Sequence, residues 1–219
     1  MSVFFPGLVL MITIPYMVKM FCTYKMSGSG LSAEDVMADP GSRLASRMMY
    51  MLQTAGVYFL IERKLALPVL VILYLATVCM FVDHYIRIIP NEAVLSLLLA
   101  AAVYRSLGGG LAGLMSGVLA LAVTALIFGG SAAWLLYRKG IPGVGAGDLK
   151  YAMAASFAAG RAGLPYFLAG AALAMMLYCA ACALKKRLHM DTYFPMCAHL
   201  SAGLLCALFV PSVKLLSDL

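Results

Sequence analysis

Long uncharged apolar runs alternate along the chain with short polar stretches. Four runs contain no Asp, Glu, Lys or Arg: 65–82, 106–137, 162–184 and 192–213. Each reaches the length of about 18 residues that indicates a membrane span. Four shorter apolar stretches lie between or before them: 1–18, 48–61, 93–104 and 151–160. The pattern therefore predicts about six to eight membrane segments.

The apolar runs also predict the fold class. In hydrocarbon every backbone N–H and C=O needs a partner inside the protein, so spanning segments are helices or closed barrels. Barrel strands alternate apolar and polar residues, and these runs do not. The sequence predicts an all-α, polytopic integral membrane helix bundle, with 1–219 as a single membrane domain. Residues 1–22 are expected to be a first helix that is retained rather than cleaved as a signal peptide, and 23–47 a polar loop on the cytoplasmic side.

The run 106–137 is longer than one span requires. As a helix it would be about 48 Å long, whereas the apolar core of a bilayer is about 30 Å thick. We expect this segment to tilt strongly, to break near Gly129-Gly130, or to project beyond the membrane.

Composition agrees with a membrane protein, and the basic residues indicate its orientation. The chain is 64% hydrophobic and 11% charged, against about 25% charged residues in soluble domains. With eight segments and the N-terminus outside, eleven of the 16 Lys and Arg residues fall on the cytoplasmic side, as the positive-inside rule requires. The net charge of +7 is then mainly topological and could favour anionic lipid headgroups. The basic residues form no single patch interleaved with aromatics, so no nucleic-acid partner is predicted.

Two of the nine acidic residues are candidates for chemistry. Six lie in the polar loop or flank helix ends, and Glu92 suits the positive first turn of a helix after Pro90. Asp83 ends an apolar run, and Asp148 follows the Gly-rich stretch GVGAG. In a purely structural interpretation, Asp83 is a charge at the membrane interface and Asp148 is the N-cap of a helix.

A catalytic reading becomes available when both acids lie on one membrane face, as the orientation above predicts. Two carboxylates about 3 Å apart share one proton. The ionised member can activate a water, and the protonated member can donate to a substrate carbonyl. This is the arrangement of an aspartic protease, and it requires no metal and no cofactor. Cys179 and Cys182 share a helix face, but we interpret them as packing residues rather than metal ligands.

Two motifs resemble those of the type IV prepilin peptidases, which belong to the Gly-x-Gly-Asp membrane aspartyl proteases. In GVGAGDLKYAMA the resemblance rests on Gly145, Gly147, Asp148 and Lys150. In VDHYIRIIPN it rests on an aspartate that ends a helix before a basic residue and Ile-Pro-Asn: Asp83, Arg87, Ile89, Pro90 and Asn91. A weaker third echo is the Phe-Pro pair at 194–195.

The resemblance implies a peptidase core over 65–210, with Asp83 and Asp148 as catalytic residues. It implies cleavage of the leader of a prepilin or pseudopilin at the cytoplasmic face of the bacterial inner membrane, for type IV pilus or secretion system assembly. Gly145 and Gly147 would let the backbone close on the substrate. Larger family members have paired Cys-x-x-Cys motifs near the N-terminus. None occurs there in this chain, which resembles the compact branch serving tight-adherence pili, and N-methyltransferase activity is not supported.

Three alternatives remain open from the sequence. Asp83 and Asp148 could carry protons or bind a cation in an ion-coupled transporter or channel component, since such sites also use broken helices. The chain could be an inactive scaffold of a pilus assembly machine. It could also be an intramembrane protease of the presenilin type, although those usually have Tyr before the first aspartate, where Val82 stands here. The oligomeric state is not indicated.

Overall fold

The computed structural model describes residues 4–26, 47, 51, 55, 67–140, 145–184 and 196–217. Five helices account for nearly all of them: α1 (Phe4–Met26), α2 (Leu67–Ile86), α3 (Asn91–Lys139), α4 (Ala146–Leu184) and α5 (Met196–Ser217). No strand occurs in these ranges, and the predicted all-α class is confirmed. The first helix continues beyond the predicted end at 22, and most of the predicted loop 23–47 and of the stretch 48–61 lies outside the described residues.

Three of the described helices are long and apolar enough to cross a membrane: α2, α3 and α4. A shorter apolar helical stretch, Met196–Phe209, lies within α5. The chain therefore forms an α-helical membrane protein. Its number of spans stays a prediction.

α3 and α4 are each interrupted once, at a glycine in the left-handed region. Gly110 has φ 56 and ψ −138, and Gly160 has φ 64 and ψ −178. Residues with a side chain rarely adopt these angles, whereas glycine does so readily. Each long helix is thus two segments, 91–109 and 111–139 in α3, and 146–159 and 161–184 in α4.

The predicted break near Gly129-Gly130 is wrong, because the backbone stays helical there. At both positions a Cβ would meet no atom of the described residues within 4 Å. At Gly113, by contrast, a side-chain carbon would collide with the carbonyl oxygen of Arg105. The chain reverses at Gly110 so tightly that only a glycine fits three residues later.

The chain divides into two compact units, Met1–Ala100 and Ala101–Leu219. In the first unit α1 packs along α2 through large side chains. The cluster includes Ile14 and Val18 from α1, with Leu70, Tyr74 and Phe81 from α2. The hydroxyls of Thr13 and Tyr74 are 3.2 Å apart and form a hydrogen bond between the two helices.

In the second unit α4 packs against α5 through small residues. A Cβ at Gly170 would lie 2.9 Å from Cys206 Sγ, and a Cβ at Gly163 would lie 3.3 Å from the carbonyl oxygen of Ala207. At Gly203 a Cβ would overlap the carbonyl oxygen of Phe167. Backbones that approach this closely are typical of membrane helix pairs, whose association depends on van der Waals contact rather than on the hydrophobic effect.

Candidate active site

Asp83 lies in the last turn of α2 and is 7% exposed. Its neighbours Val82 and Tyr85 are buried, and so is Cys79 one turn earlier. Burying a carboxylate in apolar surroundings costs free energy. Ionisable residues inside membrane segments are therefore first considered as functional residues. The structure adds to the reading of Asp83 as an interfacial charge that its side chain is buried near the end of the helix.

α2 ends at Ile86, three residues after Asp83, and Arg87 is the first residue beyond it. The N–H of Arg87 donates to the carbonyl oxygen of Asp83 at 2.9 Å, and Arg87 has φ 57. This is the left-handed helix end that glycine usually occupies. A residue with a side chain held there stores backbone strain of about 1 kcal/mol or more. The backbone of Arg87 is thus strained, and its side chain is exposed.

The Ile-Pro-Asn segment joins α2 to α3. Ile89 and Pro90 are buried, and Asn91 is exposed as the first residue of α3. The carbonyl oxygen of Pro90 accepts a hydrogen bond from Val94 N–H at 3.1 Å. The motif residues after Asp83 therefore shape a short connection that begins the next helix.

Glu92 has the structural role that the sequence indicates. It lies in the first turn of α3, and Lys25 Nζ lies 3.2 Å from its Oε1. The two side chains are 22% and 53% exposed, and exposed ion pairs of this kind contribute little to stability. Glu92 is therefore a useful comparison for Asp83, because it is an acid nearby in the sequence that is already explained.

Asp148 lies in the first turn of α4 and is half-buried. The expected helix start is confirmed, but α4 begins at Ala146, so Asp148 lies inside the first turn and is not the N-cap. The carbonyl oxygen of Gly145 accepts a hydrogen bond from Leu149 N–H at 3.0 Å. A Cβ at Gly145 would lie 2.8 Å from Asp148 Oδ2, so the carboxylate folds back over Gly145. A side chain at position 145 would therefore displace the carboxylate of Asp148 from this position.

The other two residues of this motif differ in exposure. Gly147 is half-buried in the first turn of α4, and Lys150 is exposed one turn further on. The N-terminal turn of a helix has unpaired backbone N–H groups and a positive end of the helix dipole. The first turn of α4 is therefore an electrostatically favourable position for the Asp148 carboxylate.

The sequence did not indicate how the turn after Asp148 is fixed. The hydroxyl of Tyr151, which is fully buried, lies 2.6 Å from Ser201 Oγ on α5. Ser201 Oγ donates to the carbonyl oxygen of Cys197 at 2.8 Å. Because serine has a single hydroxyl proton, Tyr151 must be the donor to Ser201. The sequence offered one indication of this contact: Tyr151 and Ser201 are polar residues that each lie in an apolar run.

The structure thus builds each motif locally. Asp83, Arg87, Pro90 and Asn91 lie in the first unit. Gly145, Gly147, Asp148 and Lys150 lie in the second. The meeting of Asp83 with Asp148 stays a prediction, as do their catalytic roles.

Comparison with known proteins gives one match. A family model described as the type IV leader peptidase family matches residues 70–180, just over half of the 219 residues. The matched range includes Asp83, Asp148 and the motif residues around both. No curated protein and no solved structure shows a significant match to the chain.

Proposed function

The chain belongs to the type IV leader peptidase family, and from that premise we propose that it is an aspartic endopeptidase of the bacterial inner membrane. Its substrates are prepilins or pseudopilins, whose leader it removes at the cytoplasmic face for type IV pilus or secretion system assembly. The observation that supports this most is a buried carboxylate, Asp83, within the range that matches a protease family. A second acid in that range, Asp148, stands at the start of a helix where a glycine leaves room for its carboxylate.

In the proposed mechanism Asp83 and Asp148 hold one water between them. The pair shares a proton, because two adjacent carboxylates cannot both ionise easily. The ionised carboxylate removes a proton from the water, whose oxygen attacks the scissile carbonyl carbon. The protonated carboxylate donates a hydrogen bond to the carbonyl oxygen and stabilises the charge that forms on it. The C–N bond then breaks, and the carboxylate that took the proton from water gives it to the leaving amine.

The turn from Gly145 to Asp148 supplies the second half of this site. With no side chain at Gly145, an extended substrate backbone can approach the first N–H groups of α4. Those groups and the helix dipole favour the developing oxyanion. The proposed mechanism uses two carboxylates and backbone N–H groups, so we propose no metal and no cofactor.

Co-expression with a candidate prepilin tests the function. The wild-type chain should convert the prepilin to the shorter mature form. Asp83→Asn and Asp148→Asn should each abolish conversion, because each removes one member of the shared-proton pair. Glu92→Gln is the matched control, since it removes a nearby exposed carboxylate, and it should process the prepilin like wild type.

Two outcomes would overturn the proposal. If both single Asp variants still produced mature pilin, the acids would not be catalytic. If the reconstituted wild-type chain cleaved no pilin-like substrate but dissipated an ion gradient across vesicles, the transporter alternative would replace it.

A further inference from the structure

Arg105 on α3 caps the first segment of α4. Its Nε donates to the carbonyl oxygen of Phe157 at 3.4 Å, and its Nη2 donates to the carbonyl oxygen of Ala159. These are among the last carbonyls of the segment 146–159, which have no partner within that segment. In an apolar environment such groups must be satisfied by other parts of the protein, and Arg105 does this from a separate segment.

Gly160 and Arg161 complete the connection between α3 and α4. A Cβ at Gly160 would fall on the guanidinium of Arg105, so the charged group lies directly against the break. The N–H of Arg161 donates to Ser116 Oγ on α3 at 2.9 Å. Arg161 has an exposed side chain and lies two residues beyond Ala159, the last residue whose carbonyl Arg105 contacts.

This pair of arginines has no carboxylate beside it within the described part of the second unit. Asp148 is the one acid among those residues. It lies eleven positions before Ala159, at the opposite end of the segment, which corresponds to about 17 Å of helix. At that separation Asp148 cannot form an ion pair with either arginine, because an ion pair requires N and O atoms within about 4 Å. The carbonyl partners of Arg105 are neutral, so two positive charges remain without a counter-charge from this part of the protein.

The length of the segment brings this positive charge close to lipid. From Ala146 to Ala159 the helix is about 21 Å long, whereas the bilayer core is about 30 Å thick. A polar helix end that falls short of the membrane surface is accommodated when side chains extend to the headgroups and the bilayer thins locally. Phosphates of anionic lipids are the negatively charged groups that a bilayer offers to two guanidinium groups at that depth.

We propose that Arg105 and Arg161 bind the phosphate of an anionic phospholipid at the Gly160 break, at the end of the 146–159 segment opposite to Asp148. Arg105 donates to the backbone through Nε and Nη2, which leaves Nη1 as the donor that the proposal assigns to the phosphate. Guanidinium groups suit this ligand because their planar donors match two phosphate oxygens. The site does not depend on the protease function, and it can be tested on an inactive variant.

Titration of the purified chain in a neutral detergent tests the site. The probe is short-chain phosphatidylglycerol, and binding is followed by native mass spectrometry and by the rise in thermal unfolding temperature. Arg161→Gln carries the test, because its side chain is exposed and its backbone bond to Ser116 is unaffected. Loss of a charged hydrogen bond should weaken phosphatidylglycerol binding about tenfold or more. The matched control Arg138→Gln removes an exposed arginine from the end of α3 and should bind like wild type.

Arg105→Lys provides a second variant. It keeps the charge but lacks the planar fork, so it should also weaken binding, together with a loss of stability. Inorganic phosphate at equal concentration and ionic strength, and short-chain phosphatidylcholine, should bind at least about tenfold more weakly than phosphatidylglycerol to the wild-type chain. The proposal is overturned if Arg161→Gln binds phosphatidylglycerol as tightly as Arg138→Gln does. It is also overturned if inorganic phosphate binds as tightly as the lipid, which would indicate a free-anion site, or if phosphatidylcholine does.

Discussion

The two units hold their acidic residues by different physical means. In the first unit, large side chains of α1 and α2 interlock, and Asp83 is buried at the end of this packed pair. In the second unit, backbones approach closely through glycine and alanine, and Asp148 is half-buried at a glycine turn. Large neighbouring side chains hold Asp83 in place, whereas the missing side chain of Gly145 leaves room for Asp148.

This difference predicts which kinds of substitution each unit tolerates. The first unit should be sensitive to the removal of side-chain atoms, because removal leaves a cavity. The second should be sensitive to their addition, because the space at its contacts is already filled by backbone. The variants below compare the units on this basis.

The largest expected effect on stability is that of Gly203→Ala in the second unit. The added Cβ would overlap the carbonyl oxygen of Phe167 and lie 3.0 Å from Ala171 N. Backbone atoms cannot rotate away, so α4 and α5 must separate, at a cost of about 3 kcal/mol. Denaturant unfolding in detergent measures the change. Gly129→Ala is the control, since its site is helical with open space, and it should be neutral or slightly stabilising. Equal stability of the two variants would contradict the close-contact account.

Gly145→Ala should reduce activity rather than stability. The new Cβ would lie 2.8 Å from Asp148 Oδ2, so the carboxylate must move while the exposed turn around it can persist. Misplacement of a catalytic group by about 1 Å costs roughly 10²-fold in rate. Steady-state cleavage of a prepilin, with Gly130→Ala as the control at an open helical site, measures the effect. Wild-type rates for Gly145→Ala would mean that the observed position of the carboxylate is not important for the reaction.

Leu70→Ala tests the first unit by removing side-chain atoms instead of adding them. Leu70 is 1% exposed within the α1–α2 cluster, and its truncation leaves a cavity. We expect a loss of about 2 kcal/mol, at the low end for such changes, because lipid tails solvate leucine as well as protein does. Leu99→Ala removes the same atoms from a side chain that is 60% exposed and should change unfolding little. If both variants lost stability equally, packing of α1 on α2 would not be what stabilises the first unit.

The smallest expected effect is a gain of stability in Arg87→Gly. Arg87 has φ 57, and glycine adopts this conformation without strain, so unfolding should require about 1 kcal/mol more. Arg138→Gly provides the contrast, because Arg138 is helical and glycine there should cost about 1 kcal/mol. The melting temperatures of the two variants should move in opposite directions. A decrease for both would show that the Arg87 side chain contributes more than its backbone strain costs.

The sequence predicted the elements better than their contacts. Uncharged runs indicated helices because composition alone decides whether a segment can remain in lipid. The position of Asp148 was also predictable, since glycines before an apolar run favour a turn followed by a helix start. These features depend on residues close together in the chain.

Features that depend on distant residues were not predictable in this way. Gly110 and Gly129-Gly130 are similar as local sequence, and the break occurs at Gly110, where the chain reverses onto the carbonyl of Arg105. The cap that Arg105 provides and the bond from Tyr151 to Ser201 join residues about 50 positions apart. Such contacts follow from packing in three dimensions, which a single sequence does not display.

The account depends most on Asp83 and Asp148 acting as one catalytic pair, and a double-mutant cycle measures this directly. Cleavage of a prepilin by purified wild type, Asp83→Asn, Asp148→Asn and the double variant gives the coupling between the two acids. Each single substitution should lower the rate by about 10³-fold or more, and the double variant should be no slower than the singles, because residues that act as a unit are lost together. The account would be contradicted if the fold-loss of rate in the double variant equalled the product of the two single fold-losses. A wild-type rate in either single variant would also contradict it.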